Sequence, residues 1–193
     1  MMSISGQVQE KITFFYKFIQ SPGQIGSVTP SSKYLARAMV DSVPWDEVNH
    51  VAELGAGTGA ITKYIRSAAN SNTRIMLFEK DPTLYRSLKY QYSEFPCYKD
   101  AYRLQFSMGV EKMERLDCVI SGLPFFNFPQ EMRDKLMDQI VGSLRNGGLF
   151  IAFQYSHQMK KQLSERFDIE TIKFVALNFP PAFVYVCRKR GVS

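Results

Sequence analysis

From residue 46 onward, two kinds of hydrophobic pattern alternate along the chain. Short apolar runs, typical of buried strands, are separated by longer stretches with apolar residues at helical spacing. The predicted strands are residues 50–54, 74–79, 96–99, 116–121 and 148–154. The predicted helices are residues 59–69, 82–92, 102–110, 129–144 and 156–166. This alternation predicts an α/β fold in which helices cover both faces of a doubly wound parallel sheet.

The chain ends in two further β-type runs, residues 170–177 and 182–188. The connection Asn178-Phe179-Pro180-Pro181 is too short for a crossover helix, so an antiparallel hairpin is predicted. Asp81-Pro82 is a helix start signal, and Asn146-Gly147-Gly148 is expected to end the helix at 129–144. We expect an N-terminal helical extension at residues 1–45 and one domain at residues 46–193.

Residues 7–19 predict a helix with an unusually wide apolar face. At about 100° per residue the apolar arc spans roughly 200°, whereas a packed surface helix needs a stripe of about 100°. The arc comprises Val8, Ile12, Phe14, Phe15, Tyr16, Phe18 and Ile19. This surplus favours a helix in a membrane interface, or a lid over an apolar substrate, over a helix packed against the sheet.

Composition limits the possible environments and partners. The 193 residues are 45% hydrophobic, which suits one globular domain. No apolar run is long enough to cross a bilayer, and Met1-Met2-Ser3 lacks the order of a secretory leader, so we expect a cytoplasmic protein. The chain has two histidines, and its three cysteines lack metal or redox spacing, so no metal site is expected. The net charge of +6 favours an anionic partner surface, either membrane or RNA.

A strand leads into a glycine-rich turn at residues 51–59, Val-Ala-Glu-Leu-Gly-Ala-Gly-Thr-Gly. Glycine is needed where a ligand must contact backbone, and the following helix start offers free N–H groups. Gly55, Gly57 and Ala60 also fit the looser spacing of dinucleotide-binding turns. Glu53 argues against that alternative, because its carboxylate would repel a pyrophosphate.

The string Glu-Leu-Gly-x-Gly-x-Gly resembles the first motif of the class I S-adenosylmethionine-dependent methyltransferases. The resemblance implies a seven-stranded, Rossmann-like methyltransferase sheet that ends in the antiparallel hairpin. It also implies S-adenosyl-L-methionine as cofactor. Gly55, Gly57 and Gly59 would then pack on the methionine part of the cofactor, with Glu53 near its ammonium group.

Further cofactor contacts are expected at the ends of later strands. Glu79 lies about 20 residues past the glycine turn, where an acid accepts hydrogen bonds from both ribose hydroxyls, although a surface glutamate is the alternative. The resemblance implies that Asp100 accepts from the adenine amino group beside the small Ala101, and it adds Ser121 at the end of the fourth strand to the cofactor site.

The sequence Ser121-Gly122-Leu123-Pro124-Phe125 is similar to the [Asn/Asp/Ser]-x-Pro-aromatic turn of amino-group methyltransferases. In that family, the turn holds the target nitrogen in line with the sulfonium methyl group, which implies catalytic roles for Leu123, Pro124 and Phe125. The closest likeness is to the Asn-Leu-Pro-Tyr/Phe motif of rRNA adenine dimethylases, but Gly122 replaces the asparagine that binds adenine. A proline turn with a core phenylalanine is the alternative reading.

A block before the glycine turn indicates which group of methyltransferases the chain resembles. Residues 18–32 resemble a block in the bacterial phospholipid N-methyltransferases. The block comprises Phe18, Pro22, Ile25-Gly26-Ser27-Val28-Thr29-Pro30 and Ser31-Ser32. That likeness implies methyl transfer to phosphatidylethanolamine. Ser31 and Ser32 are expected to cap a helix at 33–41, and Ser31 also to contact the cofactor.

The expected function is therefore N-methylation of a phospholipid amine by a monomer that associates peripherally with an anionic membrane. Tyr155, which follows the fifth strand, is assigned to the catalytic set, and a water, Tyr16, Tyr155 or His157 could take the proton of the amine. The alternatives are an rRNA adenine methyltransferase, a methyltransferase of another small amine, and a dinucleotide-binding module. Gly122 argues against nucleic acid as a partner, and so does the chain end at Ser193, where we expect no room for the helical RNA-binding domain usual in the adenine enzymes.

Overall fold

The computed structural model of the protein describes residues 31–191, apart from the side chain of Phe126. The predicted helix at 7–19 and most of the block at 18–32 lie outside the described residues. No helix in the described part of the chain is long and apolar enough to cross a membrane.

A single seven-stranded sheet organises the described residues, in the order β3-β2-β1-β4-β5-β7-β6. The strands are β1 His50–Leu54, β2 Arg74–Phe78, β3 Cys97–Tyr98, β4 Leu116–Ser121, β5 Leu144–Gln154, β6 Phe167–Val175 and β7 Ala182–Lys189. All neighbours pair in parallel except β7, which is antiparallel to both β5 and β6. The predicted terminal hairpin is confirmed. The carboxyl ends of β1, β2, β4 and β5 therefore share one edge, and the strand order reverses between the paired neighbours β1 and β4.

Helices cover both faces of the sheet, as the alternating pattern predicted. They are α1 Lys33–Val40, α2 Thr62–Ala68, α3 Pro82–Gln91, α4 Leu104–Val110, α5 Gln130–Ser143 and α6 Lys160–Arg166. One buried cluster joins the sheet to α1, α2 and α3, and a second joins it to α4, α5 and α6. Successive strand residues serve opposite faces, so Ile151 belongs to the first cluster and Phe150 to the second.

Two of the predicted helix signals hold and one is wrong. The Asp81 carboxylate accepts from the Thr83 and Leu84 amides at 2.8 and 2.9 Å, and the Ser32 hydroxyl accepts from the Leu35 amide at 3.2 Å. Asn146-Gly147-Gly148 does not end a helix. α5 already stops at Ser143, and the three residues lie inside β5.

The reason lies in the pairing of β5 with β4. Leu144 is opposite Leu116, but Leu149 is opposite Cys118, so β5 carries extra residues that bulge out of the ladder. Gly147 takes the left-handed backbone, φ +74°, that this bulge needs. The buried side chain of Leu144 draws the chain into the sheet immediately after the helix.

The described part of the predicted extension packs directly on the sheet. α1 buries Leu35, Ala36, Met39 and Val40 in the first cluster. The amide of Ser32 donates to Asn178 Oδ1 at 3.0 Å, so α1 begins beside the turn between β6 and β7. The division of the chain at residue 45 stays a prediction.

Candidate active site

The glycine turn is held at the carboxyl end of β1 by its neighbour β2. The amides of Gly55 and Ala56 both donate to the Phe78 carbonyl, at 2.8 and 3.0 Å. Gly55, Gly57 and Gly59 all have positive φ values, of +73°, +59° and +80°. The sequence therefore needs glycine here for backbone geometry before any ligand is considered.

The three glycines differ in what surrounds them. A Cβ at Gly55 would lie 2.7 Å from Leu123, and one at Gly59 would lie 2.7 Å from the Tyr92 ring. A Cβ at Gly57 would meet nothing within 4 Å. Gly55 and Gly59 thus accommodate the protein's own packing, whereas Gly57 exposes backbone to open space that a ligand can enter. Contact of all three with the cofactor stays a prediction.

Glu53 lies fully buried behind this turn. Its Oε2 accepts a hydrogen bond from Thr62 Oγ1 at 2.6 Å, while Oε1 has no hydrogen-bond partner in the part of the chain that is described. The pKa of the Glu53 carboxyl is raised to about 8, mainly because burial penalises the charged form; the Thr62 hydrogen bond opposes this shift, and the nearby charge of Glu79 adds to it. A buried carboxyl with one unsatisfied oxygen suits a cationic ligand group such as an ammonium.

Glu79 links the glycine turn to the start of α3. Its Oε2 accepts from the Gly57 amide and its Oε1 from the Asp81 amide, each at 2.8 Å. Each carboxylate oxygen has a further lone pair, so these bonds leave acceptor capacity for ribose hydroxyls. The predicted ribose contact itself stays a prediction.

A cavity of about 590 Å³ opens beside Glu79. Its wall combines carboxylates with an apolar surface, and it includes five residues predicted for the cofactor site or the turn after β4, namely Gly55, Glu79, Asp100, Ala101 and Leu123. Asp100 Oδ1 accepts from the Tyr102 amide at 2.9 Å, which fixes the loop after β3. The remaining lining residues are Phe78, Lys80, Lys99, Tyr102, Phe128, Met132 and Leu136.

Several of these lining residues were missed by the sequence analysis. Met132 and Leu136 are four residues apart and so lie on one face of α5, and this spacing was the available signal. No local sequence pattern marks Tyr102 or Phe128 as residues of a ligand cavity. The mixture of acids with an aromatic and aliphatic wall fits an adenosine group. Together with Glu53 Oε1 and the open space at Gly57, the cavity fits S-adenosylmethionine.

The turn after β4 is pressed against the glycine turn. The Gly122 amide donates to the Leu54 carbonyl at 2.8 Å, and a Cβ at Gly122 would lie 2.8 Å from the Gly55 carbonyl oxygen. The position therefore cannot carry the asparagine of the adenine enzymes unless backbone moves. Buried Ser121 accepts from the Leu123 amide at 3.2 Å, so its hydroxyl braces the same turn.

Phe125 lies in the core behind this turn. It is 1% exposed, and its ring meets Phe150 edge-on with centroids 5.8 Å apart. Leu123 and Phe128 line the cavity, whereas Phe125 does not. The catalytic roles predicted for Leu123, Pro124 and Phe125 stay predictions.

The end of β5 supports the turn from the other side. Buried Gln154 donates from Nε2 to the Leu123 carbonyl at 3.4 Å. Tyr155 is half-buried with its ring 5.5 Å from that of Phe153, and its assigned catalytic role stays a prediction. Ser31, also half-buried, precedes the Ser32 cap, and its cofactor contact stays a prediction as well.

His157 is exposed at this edge and belongs to a short 3-10 helix that packs against the one at Phe125–Asn127. Its ring lies 4.0 Å from that of Phe183, and its Nδ1 is 3.2 Å from the Tyr185 hydroxyl. Tyr185 is also 3.4 Å from the Ser156 carbonyl, to which it can donate. Within residues 31–191, no group of three or more His, Cys, Asp or Glu side chains could hold a metal ion.

Comparison with known proteins places the chain in a family. No protein-family model matches it. An ornithine lipid N-methyltransferase from Singulisphaera acidiphila is 33% identical over 180 residues, which cover 91% of this chain and 94% of that protein.

Solved structures agree on the fold. The N-methyltransferase NodS from Bradyrhizobium japonicum in complex with S-adenosyl-L-homocysteine has a TM-score of 0.62 at 14% identity, covering 80% of this chain and 83% of that one. The magnesium protoporphyrin IX methyltransferase from Synechocystis with bound cofactor has a TM-score of 0.60 at 13% identity, covering 94% and 83%. The predicted fold, enzyme class and cofactor are confirmed. This chain belongs to the family of the ornithine lipid N-methyltransferase, within the class I S-adenosylmethionine-dependent methyltransferases.

Proposed function

We propose that this enzyme transfers methyl groups to the primary amine of a membrane lipid, with phosphatidylethanolamine as the substrate. The observation that carries the proposal is the 33% identity to a lipid N-methyltransferase across nearly the whole of both chains. Ornithine lipid, the substrate in that relative's name, and phosphatidylethanolamine both present an aliphatic amine at a membrane surface. The likeness of residues 18–32 to the phospholipid enzymes favours phosphatidylethanolamine of the two.

The tightness of the turn at Gly122 supports an aliphatic amine over adenine. A nucleobase enzyme uses an acceptor side chain at this position to bind the exocyclic amine. Here the Gly55 carbonyl oxygen stands 2.8 Å from where a Cβ would be, so the turn offers backbone only. An aliphatic amine needs orientation and a desolvated path rather than recognition of a planar base.

The reaction is an in-line displacement at the methyl group that S-adenosylmethionine supplies when bound. The amine nitrogen forms a bond to the methyl carbon as the carbon–sulfur bond breaks, and a proton leaves the nitrogen. We assign orientation of the amine to the turn after β4, which is held in shape because the Leu123 carbonyl accepts from the Phe125 amide at 3.0 Å and from Gln154 Nε2 at 3.4 Å. The residues of this chain thus provide position and exclude water.

A lipid ammonium must lose a proton before it can attack. We assign this step to His157, which lies next to the turn after β4. If Tyr185 donates to the Ser156 carbonyl, His157 Nδ1–H donates to Tyr185, and Nε2 keeps a lone pair that can accept the proton. His157→Gln should lower kcat, while cofactor affinity should stay unchanged.

Peripheral association with the anionic face of a cytoplasmic membrane completes the proposal. The chain carries a net charge of +6, and residues 7–19 predict an amphipathic helix.

The test supplies purified enzyme with S-adenosylmethionine labelled on the methyl group and one acceptor at a time. The acceptors are anionic vesicles with phosphatidylethanolamine, the same vesicles with ornithine lipid, and ribosomal RNA. The Gly57→Val variant, with a side chain in the open space of the glycine turn, is the inactive control. Label in phosphatidylethanolamine supports the proposal. Label in ornithine lipid alone would replace phosphatidylethanolamine by ornithine lipid as the substrate. Label in RNA alone would overturn the proposed function.

A further inference from the structure

The end of the β6–β7 hairpin exposes large apolar side chains close together. Phe174 is 60% exposed, Leu177 65% and Phe179 60%. We call these three residues the hairpin rim. Such a group of side chains in water is unfavourable, and exposed apolar patches of this kind commonly mark an interaction surface.

Strand direction places the hairpin rim at the active-site edge of the sheet. β6 and β5 are both antiparallel to β7, so β6 runs parallel to β5 and its carboxyl end shares the edge where β1, β4 and β5 end. In register, Phe174 is opposite Phe183, and Phe183 is opposite Gln154. The hairpin rim is therefore level with the residue that supports the Leu123 turn.

An aromatic row connects the hairpin rim with the candidate acceptor side. The ring of Phe174 lies 5.1 Å from that of Phe183, and the Phe183 ring lies 4.0 Å from His157. A lipid held with its acyl chains at the hairpin rim would thus have its headgroup on the side of His157.

Positively charged side chains lie near the hairpin rim. Lys173 directly precedes Phe174 in β6. Lys33 and, one turn further on, Arg37 belong to α1, which begins beside the hairpin turn where Ser32 bonds to Asn178. Exposed Tyr34, with Lys33 Nζ 5.1 Å from its ring centre, adds the aromatic and basic pairing that suits a lipid interface.

We propose that the hairpin rim inserts into the interfacial region of an anionic bilayer and turns the active-site edge toward the membrane. The inference rests on the proposed function and adds a second contact, separate from the amphipathic helix predicted at residues 7–19. Apolar side chains bind the interface and the surrounding lysines and arginines bind anionic headgroups.

Depth-dependent quenching tests the insertion directly. The chain has one tryptophan, Trp45, before the amino end of β1 and so at the opposite edge of the sheet. In the full-length Leu177→Trp variant, brominated lipids in anionic vesicles should quench the new tryptophan and leave the Trp45 signal of the unmodified protein unchanged. A tryptophan at 177 that is blue-shifted without vesicles and unaffected by brominated lipid would mean that the chain itself covers the hairpin rim, and would overturn the inference.

A matched pair of charge variants tests the consequence for catalysis. Leu177→Glu should weaken sedimentation with anionic vesicles about tenfold or more and slow methylation of vesicle lipid. Its affinity for S-adenosylhomocysteine and its activity on the same lipid in detergent micelles should persist. Val110→Glu, at the carboxyl end of α4 and 57% exposed in the unmodified chain, is the control and should change neither.

The outcomes separate the two proposals. Equal vesicle binding and activity in Leu177→Glu, with lipid methylation intact in the unmodified enzyme, would overturn insertion of the hairpin rim and leave the proposed function standing. Absence of lipid methylation in the unmodified enzyme, in both vesicles and micelles, would refute the proposed function itself.

Discussion

Binding of the cofactor should release a proton from Glu53. The folded, cofactor-free protein holds this proton up to a pH of about 8, because burial penalises the charge. An ammonium placed at the unsatisfied Oε1 would stabilise the carboxylate and lower its pKa. At a pH below 8, association therefore converts a neutral carboxyl into half of an ion pair, and the proton leaves.

The same pKa shift predicts how strongly the free energy of unfolding of the cofactor-free protein depends on pH. The carboxyl has a pKa near 4.5 in an unfolded chain and about 8 in the folded one. Its contribution to the free energy of unfolding is therefore complete below about pH 4.5 and is lost as the pH rises to about 8. At about 1.4 kcal/mol for each pH unit, the loss across this window is on the order of 3–5 kcal/mol.

Calorimetry with S-adenosylhomocysteine at about pH 6.5 measures the proton directly. At that pH more than about nine-tenths of an α-amino group is already charged, so the ligand contributes little to the proton balance. Titrations in buffers with different ionisation enthalpies should give release of about 0.9 proton for each bound ligand. Glu53→Gln should release close to none and should bind about 1–3 kcal/mol more weakly, as expected when a charged hydrogen bond is lost.

Two results would refute this reasoning. A wild-type titration without proton release would show that Glu53 is already ionised or stays neutral in the complex. Equal release in Glu53→Gln would assign the proton to another group. Chemical denaturation of the cofactor-free protein is an independent check, because the free energy of unfolding should fall between about pH 4.5 and 8 in wild type and fall less in the variant.

Three further substitutions test other parts of the site. Glu79→Ala should weaken binding of S-adenosylhomocysteine by about 1–3 kcal/mol in calorimetry, since it removes the acceptor of the Gly57 amide together with the predicted ribose acceptor. Glu94→Ala, which removes an exposed ion-pair residue, is its control. Gly122→Asn should lower the free energy of unfolding by about 1–3 kcal/mol in denaturant titration and reduce kcat, and an unchanged variant would show that the turn is not tightly packed. Phe125→Ala should slow turnover far more than it weakens cofactor binding, and should cost about 3–5 kcal/mol of stability as a buried core ring. If Phe125→Leu keeps stability but still loses turnover, the ring acts on the reaction; if it keeps both, Phe125 is a core residue only.

Local signals in the sequence determined most of the fold. The strand at His50–Leu54, the cap at Asp81 and the short connection at residues 178–181 each act over a few residues, so periodicity and turn chemistry predicted them. The glycine turn and Glu53 were found in the same way, because backbone with positive φ needs particular residues at fixed spacing.

Tertiary structure decided what those signals meant. Gly147 has the left-handed backbone expected at a helix end, but pairing of β5 with β4 uses it in a bulge. Phe125 follows a recognisable proline turn, yet packing on Phe150 places it in the core, while Tyr102 and Phe128, from elements distant in sequence, form the cavity wall. Spacing along a chain fixes local backbone geometry, but the surroundings of a side chain depend on which elements the sheet order brings together.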